Sequence, residues 1–262
     1  MESKIVFFDI DGTLYDPVIG VPESTKEALK LLIQNGHLAI ICTGRTKAII
    51  PDYIKNLGFS GIVAGAGTYV EYKDHIIHHK VEGEDFAKDI LALLRENGIK
   101  FIVEGPEFVY FDGSDQSKDY EMVKNELSSI GTNKMRALEF GDYRLNKITC
   151  HIPKRSSMEA ILPKIEEKFH LIWHQSGVFV ELAPLGYTKA TGIEYLLSYL
   201  GRDRKDTYAF GDSTNDIEML DYVNYGIAMG NSYPEVLNKA RYKTKSISED
   251  GIFYGLKEFG LI

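Results

Sequence analysis

Short, wholly apolar runs alternate with amphipathic stretches in the first third of the chain. Residues 5–8 (Ile-Val-Phe-Phe) read as a strand buried on both faces, 38–42 as a second and 62–64 as a third. Between the first two, residues 22–35 place Ala28, Leu29, Leu32 and Ile33 along one side of a helix that Gly36 ends. That alternation predicts parallel strands joined by crossover helices. The last third repeats it, with a helix expected over 188–200 and strands over 207–210 and 225–229. Ser232 and Glu235 have the spacing of a capping box and predict one more helix start. Each strand runs into small or polar residues: Asp9-Ile10-Asp11-Gly12-Thr13, Thr43-Gly44-Arg45, Gly65-Ala66-Gly67, Gly211-Asp212 and Gly230-Asn231.

Residues 81–183 follow a different pattern. Longer polar helices are expected over 119–130 and 157–169, and the strands at 108–111 and 178–182 alternate or carry aromatics. The expectation is an α/β protein in which a Rossmann-like parallel-sheet core, 1–80 plus 184–262, accepts an inserted α+β cap domain, 81–183.

Composition narrows the class. A chain of 262 residues suits two unequal domains, and 44% hydrophobic with 26% charged residues is ordinary for a globular protein. The net charge of -8, with no block of Lys and Arg, argues against nucleic acid as a partner. No apolar run approaches the ~20 residues that cross a bilayer, and the apolar start is too short and wrongly flanked for a signal peptide. A cytoplasmic protein with no membrane partner is expected. Cys42 and Cys150 lie in apolar surroundings and read as buried, reduced thiols. Oligomeric state has no signal in the sequence.

In parallel sheets the loops beyond the carboxyl ends of the strands converge on the ligand site. Asp9 and Asp11 lie two apart, so they face one side if the strand geometry persists. Asp212 and Asp216 follow another strand. Four carboxylates near one point repel one another and call for a cation, and an oxygen-only set without His or Cys suits Mg2+. A divalent ion also lets a carboxylate approach a phosphoryl group, which makes Asp9 a candidate nucleophile. Thr43 and the amides around Gly44 offer donors to phosphoryl oxygens. Lys189 opens a helix, where a cation opposes the dipole unless an anion shares the site.

The Asp9–Thr13 motif, Thr43, Lys189 and Gly211-Asp212-Ser213-Thr214-Asn215-Asp216 resemble, in order, the four motifs of the haloacid dehalogenase superfamily in its phosphatase form. The insert resembles the type II cap of the Cof-like sugar-phosphatase group. The resemblance implies a Mg2+-dependent phosphomonoester hydrolase acting on a small phosphorylated metabolite. By it Asp9 is the nucleophile and Asp11 the acid and base. Asp9, Asp212 and the carbonyl of Asp11 hold the metal, with Asp216 supporting them. Thr43, Gly44, Lys189 and Asn215 serve the phosphoryl group. One position departs from the pattern: Ala66 stands where the Cof-like group usually has Asn, which bears on specificity more than on the reaction.

Taken singly, these signals have plainer readings. Asp11-Gly12-Thr13 alone is a turn, Thr43-Gly44 a loop and cap, and Lys189 a solvated lysine. His75, His78 and His79 beside an expected turn at Lys73-Asp74 read as a surface hairpin before they read as a metal site. Arg45 fits a substrate contact or an ion pair equally well. Two rivals use the same residues: a phosphotransferase or mutase, and a phospho-receiver module. The long insert and Asp11 count against the receiver.

Overall fold

The computed structural model describes residues 3–112, 118, 125, 127, 134–138, 144–152, 155–174 and 177–262. The helix expected over 119–130 lies outside them apart from residues 125 and 127.

In chain order the first strands are β1 (Ile5–Phe8), β2 (Leu38–Cys42), β3 (Gly61–Ala64), β4 (Tyr69–Tyr72) and β5 (His75–His79). The middle of the chain gives β6 (Lys100–Glu104), β7 (Val109–Phe111), β8 (Met135–Ala137), β9 (Lys147–His151), β10 (Phe169–Trp173) and β11 (Phe179–Pro184). The last three are β12 (Thr207–Gly211), β13 (Tyr225–Ala228) and β14 (Tyr242–Lys243).

The first and last groups form one eight-stranded sheet in the order β14-β13-β12-β1-β2-β3-β4-β5. It is parallel from β14 to β3, and only the β4–β5 hairpin at its edge breaks the pattern. The hairpin turns through Lys73 and Asp74, both at positive φ, as the position of the histidines suggests. Phe8 lies opposite Phe210 across the β1–β12 pairing, and their rings stack at 5.4 Å. One face of the sheet buries Phe7, Ile40 and Val63 against Ile193, Leu196 and Leu197 of the helix Lys189–Leu200. Strand order grows outward from β1 in both directions, so the switch point lies at β1, with β2 on one side and β12 on the other.

The second sheet, of six strands, runs β10-β11-β9-β6-β7-β8 and is antiparallel except between β7 and β8. The helix Glu84–Glu96 packs Ala87, Ile90, Leu91 and Leu94 into a core with Phe101, Val103, Ile148, Cys150, Val180 and Leu182. The fold is thus α/β with a parallel-sheet core and an α+β insert.

Two compact units emerge. The first is Met1–Gly44, Tyr53–His78 and Thr188–Ile262; the second is Arg45–Asp52 with His79–Tyr187. The insert therefore also takes in a segment of eight residues far from it in sequence, Arg45–Asp52. Its Ala48 and Ile49 pack with Ile102, Val109 and Phe111, contacts that no local pattern announces.

Two local expectations are corrected. Residues 157–169 do not make one helix: Arg155–Glu159 and Leu162–Glu166 are separate, and Phe169 already begins β10. Pro163, at the start of the second helix, cannot donate the backbone hydrogen bond that a continuous helix needs. Ser232 does not cap the helix Pro234–Lys239. Tyr233 occupies the cap position, and the Ser232 hydroxyl donates to the Gly211 carbonyl instead.

Candidate active site

At the carboxyl end of β1 the chain leaves the sheet while Asp9 N–H still donates to the Phe210 carbonyl at 3.0 Å. The Asp9 side chain is held at the switch point and is only 4% exposed. A tight turn follows, in which the amides of Leu14 and Tyr15 both donate to the Ile10 carbonyl. Gly12 has φ +78, and a Cβ on it would stand 2.2 Å from Asp212 Oδ2. Only glycine satisfies both the backbone and the space at that point. Thr13 buries its hydroxyl and donates it to Asp212 Oδ1 at 3.2 Å. Asp11, just before Gly12, is exposed.

The strand β12 ends at Gly211, and Asp212 to Asp216 fold back on themselves. The amides of Asp212 and Ser213 donate to Asp216 Oδ2 at 3.0 and 2.9 Å. The other oxygen of Asp216 accepts from Lys189 Nζ at 2.5 Å. Asp216 is fully buried with both oxygens engaged, so its first role is to fix the loop that presents Asp212.

Lys189 opens the helix Lys189–Leu200, whose cap residue Thr188 accepts from the Thr191 amide in a capping box. Its side chain is 2% exposed, and Nζ lies 2.6 Å from Asp9 Oδ1, 2.5 Å from Asp216 Oδ1 and 3.4 Å from Asn215 Oδ1. Three donors meet three acceptors. Burial works against the lysine's charge, yet Asp216 and Asp9 hold its pKa above the ordinary lysine value.

Thr43, one residue beyond β2, is buried and anchored by its backbone, its amide donating to Val63 and its carbonyl accepting from Ala66. Ala66 sits at φ 53 and ψ 40, in the left-handed region that Asn tolerates better than Ala. Gly44 is buried next to Thr43.

Asp9, Asp212 and Asp216 offer carboxylate oxygens that all lie within 4.8 Å of one another. Burial, and then the charge of Asp216, pushes Asp9 well above the usual carboxylate range, with Lys189 pulling the other way. The same two causes push Asp212 up to about 7. One lysine does not balance three carboxylates, and the donors are all hard oxygens. A divalent cation of the Mg2+ kind fits this set.

The structure thus brings together Asp9, Lys189, Asn215, Asp216 and Asp212 by direct contacts or short separations. Sequence reasoning gave no role to two residues that hold the site in shape. Ser213 donates its hydroxyl to Asn215 Oδ1 at 2.6 Å, and its spacing from Asp216 is a capping-box signal that was open to reading. Asn231 donates from Nδ2 to the Gly12 carbonyl at 2.8 Å and accepts from the Ile247 amide at 2.9 Å. Nothing near Asn231 in sequence points to Gly12.

Fold and site together define an α/β protein with a buried cluster of carboxylates at its centre. Residues 6–256 match the family described as haloacid dehalogenase-like hydrolase. YkrA of Bacillus subtilis (strain 168), provisionally called a phosphatase, is 33% identical with 100% of both chains covered. YwtE of the same organism, a 5-amino-6-(5-phospho-D-ribitylamino)uracil phosphatase, is 24% identical over 96% of each chain. Among solved structures, the subclass IIB sugar phosphatase BT4131 is similar with a TM-score of 0.85 and 29% identity, covering 99% of this chain and 100% of its own. The chain belongs to the haloacid dehalogenase-like hydrolases and is a phosphatase.

Proposed function

We propose that the chain is a cytoplasmic, Mg2+-dependent phosphomonoester hydrolase for a small phosphorylated metabolite, a sugar phosphate or similar, working through an aspartyl-phosphate on Asp9. The observation that carries this reading is the buried Asp9 carboxylate held 2.6 Å from Lys189 beside Asp212 and Asp216. Two buried free thiols, Cys42 and Cys150, agree with a reducing compartment.

An oxygen of Asp9 attacks phosphorus, forming one P–O bond as the bond to the leaving oxygen breaks. Asp11, exposed on the turn, gives that oxygen its proton. Asp11 then takes a proton from water, the water oxygen bonds to phosphorus, and inorganic phosphate departs with Asp9 restored. Lys189 fixes Asp9 and, with Thr43, the Gly44 amide and Asn215, offers donors where negative charge develops. Mg2+, held by Asp9, the Asp11 carbonyl and Asp212 with Asp216 behind them, would neutralise charge between the carboxylate and the phosphoryl group.

The test is phosphate release from sugar phosphates, nucleotides, pyridoxal phosphate and p-nitrophenyl phosphate, with Mg2+ and with EDTA, for wild type and Asp9→Asn. Release that needs both Mg2+ and Asp9 supports the reading. Release unchanged in Asp9→Asn removes Asp9 from the mechanism, and phosphate that only moves to a second hydroxyl makes the protein a transferase.

A further inference from the structure

The turn that carries Asp11 closes largely on itself. The amides of Leu14 and Tyr15 donate to the Ile10 carbonyl at 2.9 and 2.8 Å, and the Gly12 amide donates to the Tyr15 carbonyl at 2.8 Å. Two side-chain hydrogen bonds then tie the turn to loops 199 and 219 residues away in sequence. One is the Thr13 hydroxyl on Asp212, and the other runs from Asn231 Nδ2 to the Gly12 carbonyl at 2.8 Å.

Asn231 stands on a firm base. Its loop is fixed to the end of β12, where the Met229 amide donates to the Gly211 carbonyl at 2.9 Å and the Tyr233 amide to the Asp212 carbonyl at 3.2 Å. On the other side the Gly230 amide donates to the Lys245 carbonyl at 2.9 Å, and Asn231 Oδ1 accepts from the Ile247 amide at 2.9 Å. A carbonyl oxygen cannot donate and an amide nitrogen cannot accept, so the two partners settle which way the carboxamide points. Both partners are backbone groups rather than carboxylates of the cluster.

A hydrogen bond from an exposed asparagine adds modestly to stability and by itself implies nothing more. The place it grips gives it a further consequence. Gly12 has φ +78, and glycine is the residue with the widest backbone freedom. Its amide, bonded to Tyr15, lies in the peptide plane shared with Asp11; its carbonyl, bonded to Asn231, lies in the plane shared with Thr13. Holding both planes fixes where Asp11 leaves the backbone, although its side chain is exposed. Displacing a reacting group by about 1 Å can cost about a hundredfold in rate.

We propose that Asn231 is a positioning residue for Asp11, holding the turn so that the Asp11 carboxyl meets the leaving oxygen. The inference rests on the phosphatase reading above, in which the proton of Asp11 passes to the ester oxygen as its bond to phosphorus breaks and Asp11 is left as carboxylate. That role has a selective signature. An alkyl ester departs as a strongly basic alkoxide that needs the proton, whereas p-nitrophenolate departs with little help. A merely structural role would weaken both alike.

The experiment compares wild type, Asn231→Asp and Asn231→Ala on glycerol phosphate and sugar phosphates and on p-nitrophenyl phosphate, with circular dichroism melting to confirm that each variant folds. Asn231→Asp keeps the acceptor for Ile247 and loses the donor to Gly12, and Asn231→Ala loses both without adding charge. Their shared loss is the Gly12 bond. The quantity read is kcat/KM, which covers the steps through transfer to Asp9 and not the later attack by water. In both variants it should fall by about tenfold or more on the alkyl esters and by about threefold or less on p-nitrophenyl phosphate. Amide exchange of Gly12, Leu14 and Tyr15, followed by NMR on the metal-free protein, should quicken in both. An equal effect on the two ester classes, a selective fall in only one variant, or wild-type exchange rates in both overturns the inference and leaves the phosphatase reading standing. No release from any ester by wild type overturns both.

Discussion

The ammonium of Lys189 lies 2.6 Å from Oδ1 of Asp9, although 180 residues separate them in sequence. That contact, with its twin to Asp216, fixes how the carboxylate at the end of β1 is presented. Lys189→Met should leave two buried carboxylates without their cation, at a cost of about 3–5 kcal/mol. Turnover should fall by about a hundredfold or more as a preorganised donor disappears. Differential scanning calorimetry with and without Mg2+ checks the cause: Mg2+ should recover more melting temperature in the variant than in wild type. Equal Mg2+ responses would mean that the lysine and the ion do not share this charge.

Gly12→Ala places a methyl group 2.2 Å from Asp212 Oδ2 on a backbone at φ +78. The expected result is a folded protein with weakened Mg2+ affinity, in which Asp212 has been pushed from its bond to Thr13. Titrating phosphate release against Mg2+ should show a half-saturation concentration raised by about tenfold or more, as for loss of an oriented ligand. An unchanged titration would show that Asp212 lies outside the metal shell.

Ala66 occupies the left-handed region with φ 53. Glycine there removes the Cβ conflict but adds freedom to the unfolded chain, so Ala66→Gly should stabilise by only about 0.5–1 kcal/mol. Denaturant unfolding measures it. A loss of stability would mean that packing of the buried methyl outweighs the backbone conflict.

Acid should reach the second unit through Glu181. Burial alone would raise its pKa, but Lys147 and then His174 bring it down to about 2. Burial likewise opposes the charge of Lys147, and Glu104 and then Glu181 carry its pKa above the ordinary lysine value. The folded pKa of Glu181 lies below the unfolded value of about 4.3, so its stabilisation is complete above that pH and fades as pH falls towards the folded value. For Lys147 the sign is reversed, with stabilisation complete below about pH 10.4 and lost as pH rises beyond it. The stability difference between wild type and Glu181→Gln should be flat from about pH 8 to 9 and shrink below about pH 4. A difference that stays constant down to pH ~2.5 would mean that Glu181 is not held ionised in the fold.

Much of the core and its candidate site was legible because both depend on short-range signals. Ile5–Phe8, Leu38–Cys42 and residues 207–210 are short, mostly apolar runs that read as buried strands, and Asp9, Thr43 and Asp212 follow them by chain order alone. Pro163 is the local sign that residues 157–169 split, and the expectation of one long polar helix gave it no weight. Ser232 and Glu235 had the right spacing but the wrong neighbours, since Tyr233 and Pro234 set the helix start and the hydroxyl found Gly211. Asn231 and the attachment of Ala48 and Ile49 to the insert were beyond reach. Each depends on contacts with residues remote in sequence, and a single chain read in order holds no trace of them.

The pairing of β1 with β12 has a consequence for synthesis. Ile5 meets Thr207 and Phe8 meets Phe210 in that ladder, so one edge of β1 has no native partner until the chain has emerged past Phe210. Loop closure over such a span is slow, and exposed strand edges invite association between incomplete chains. A nascent protein of this sequence therefore carries its aspartates early and acquires the lysine and the second acidic loop late. Competence arrives only after Asp216 has been made, and chains truncated before Asp216 should lack the acidic trio.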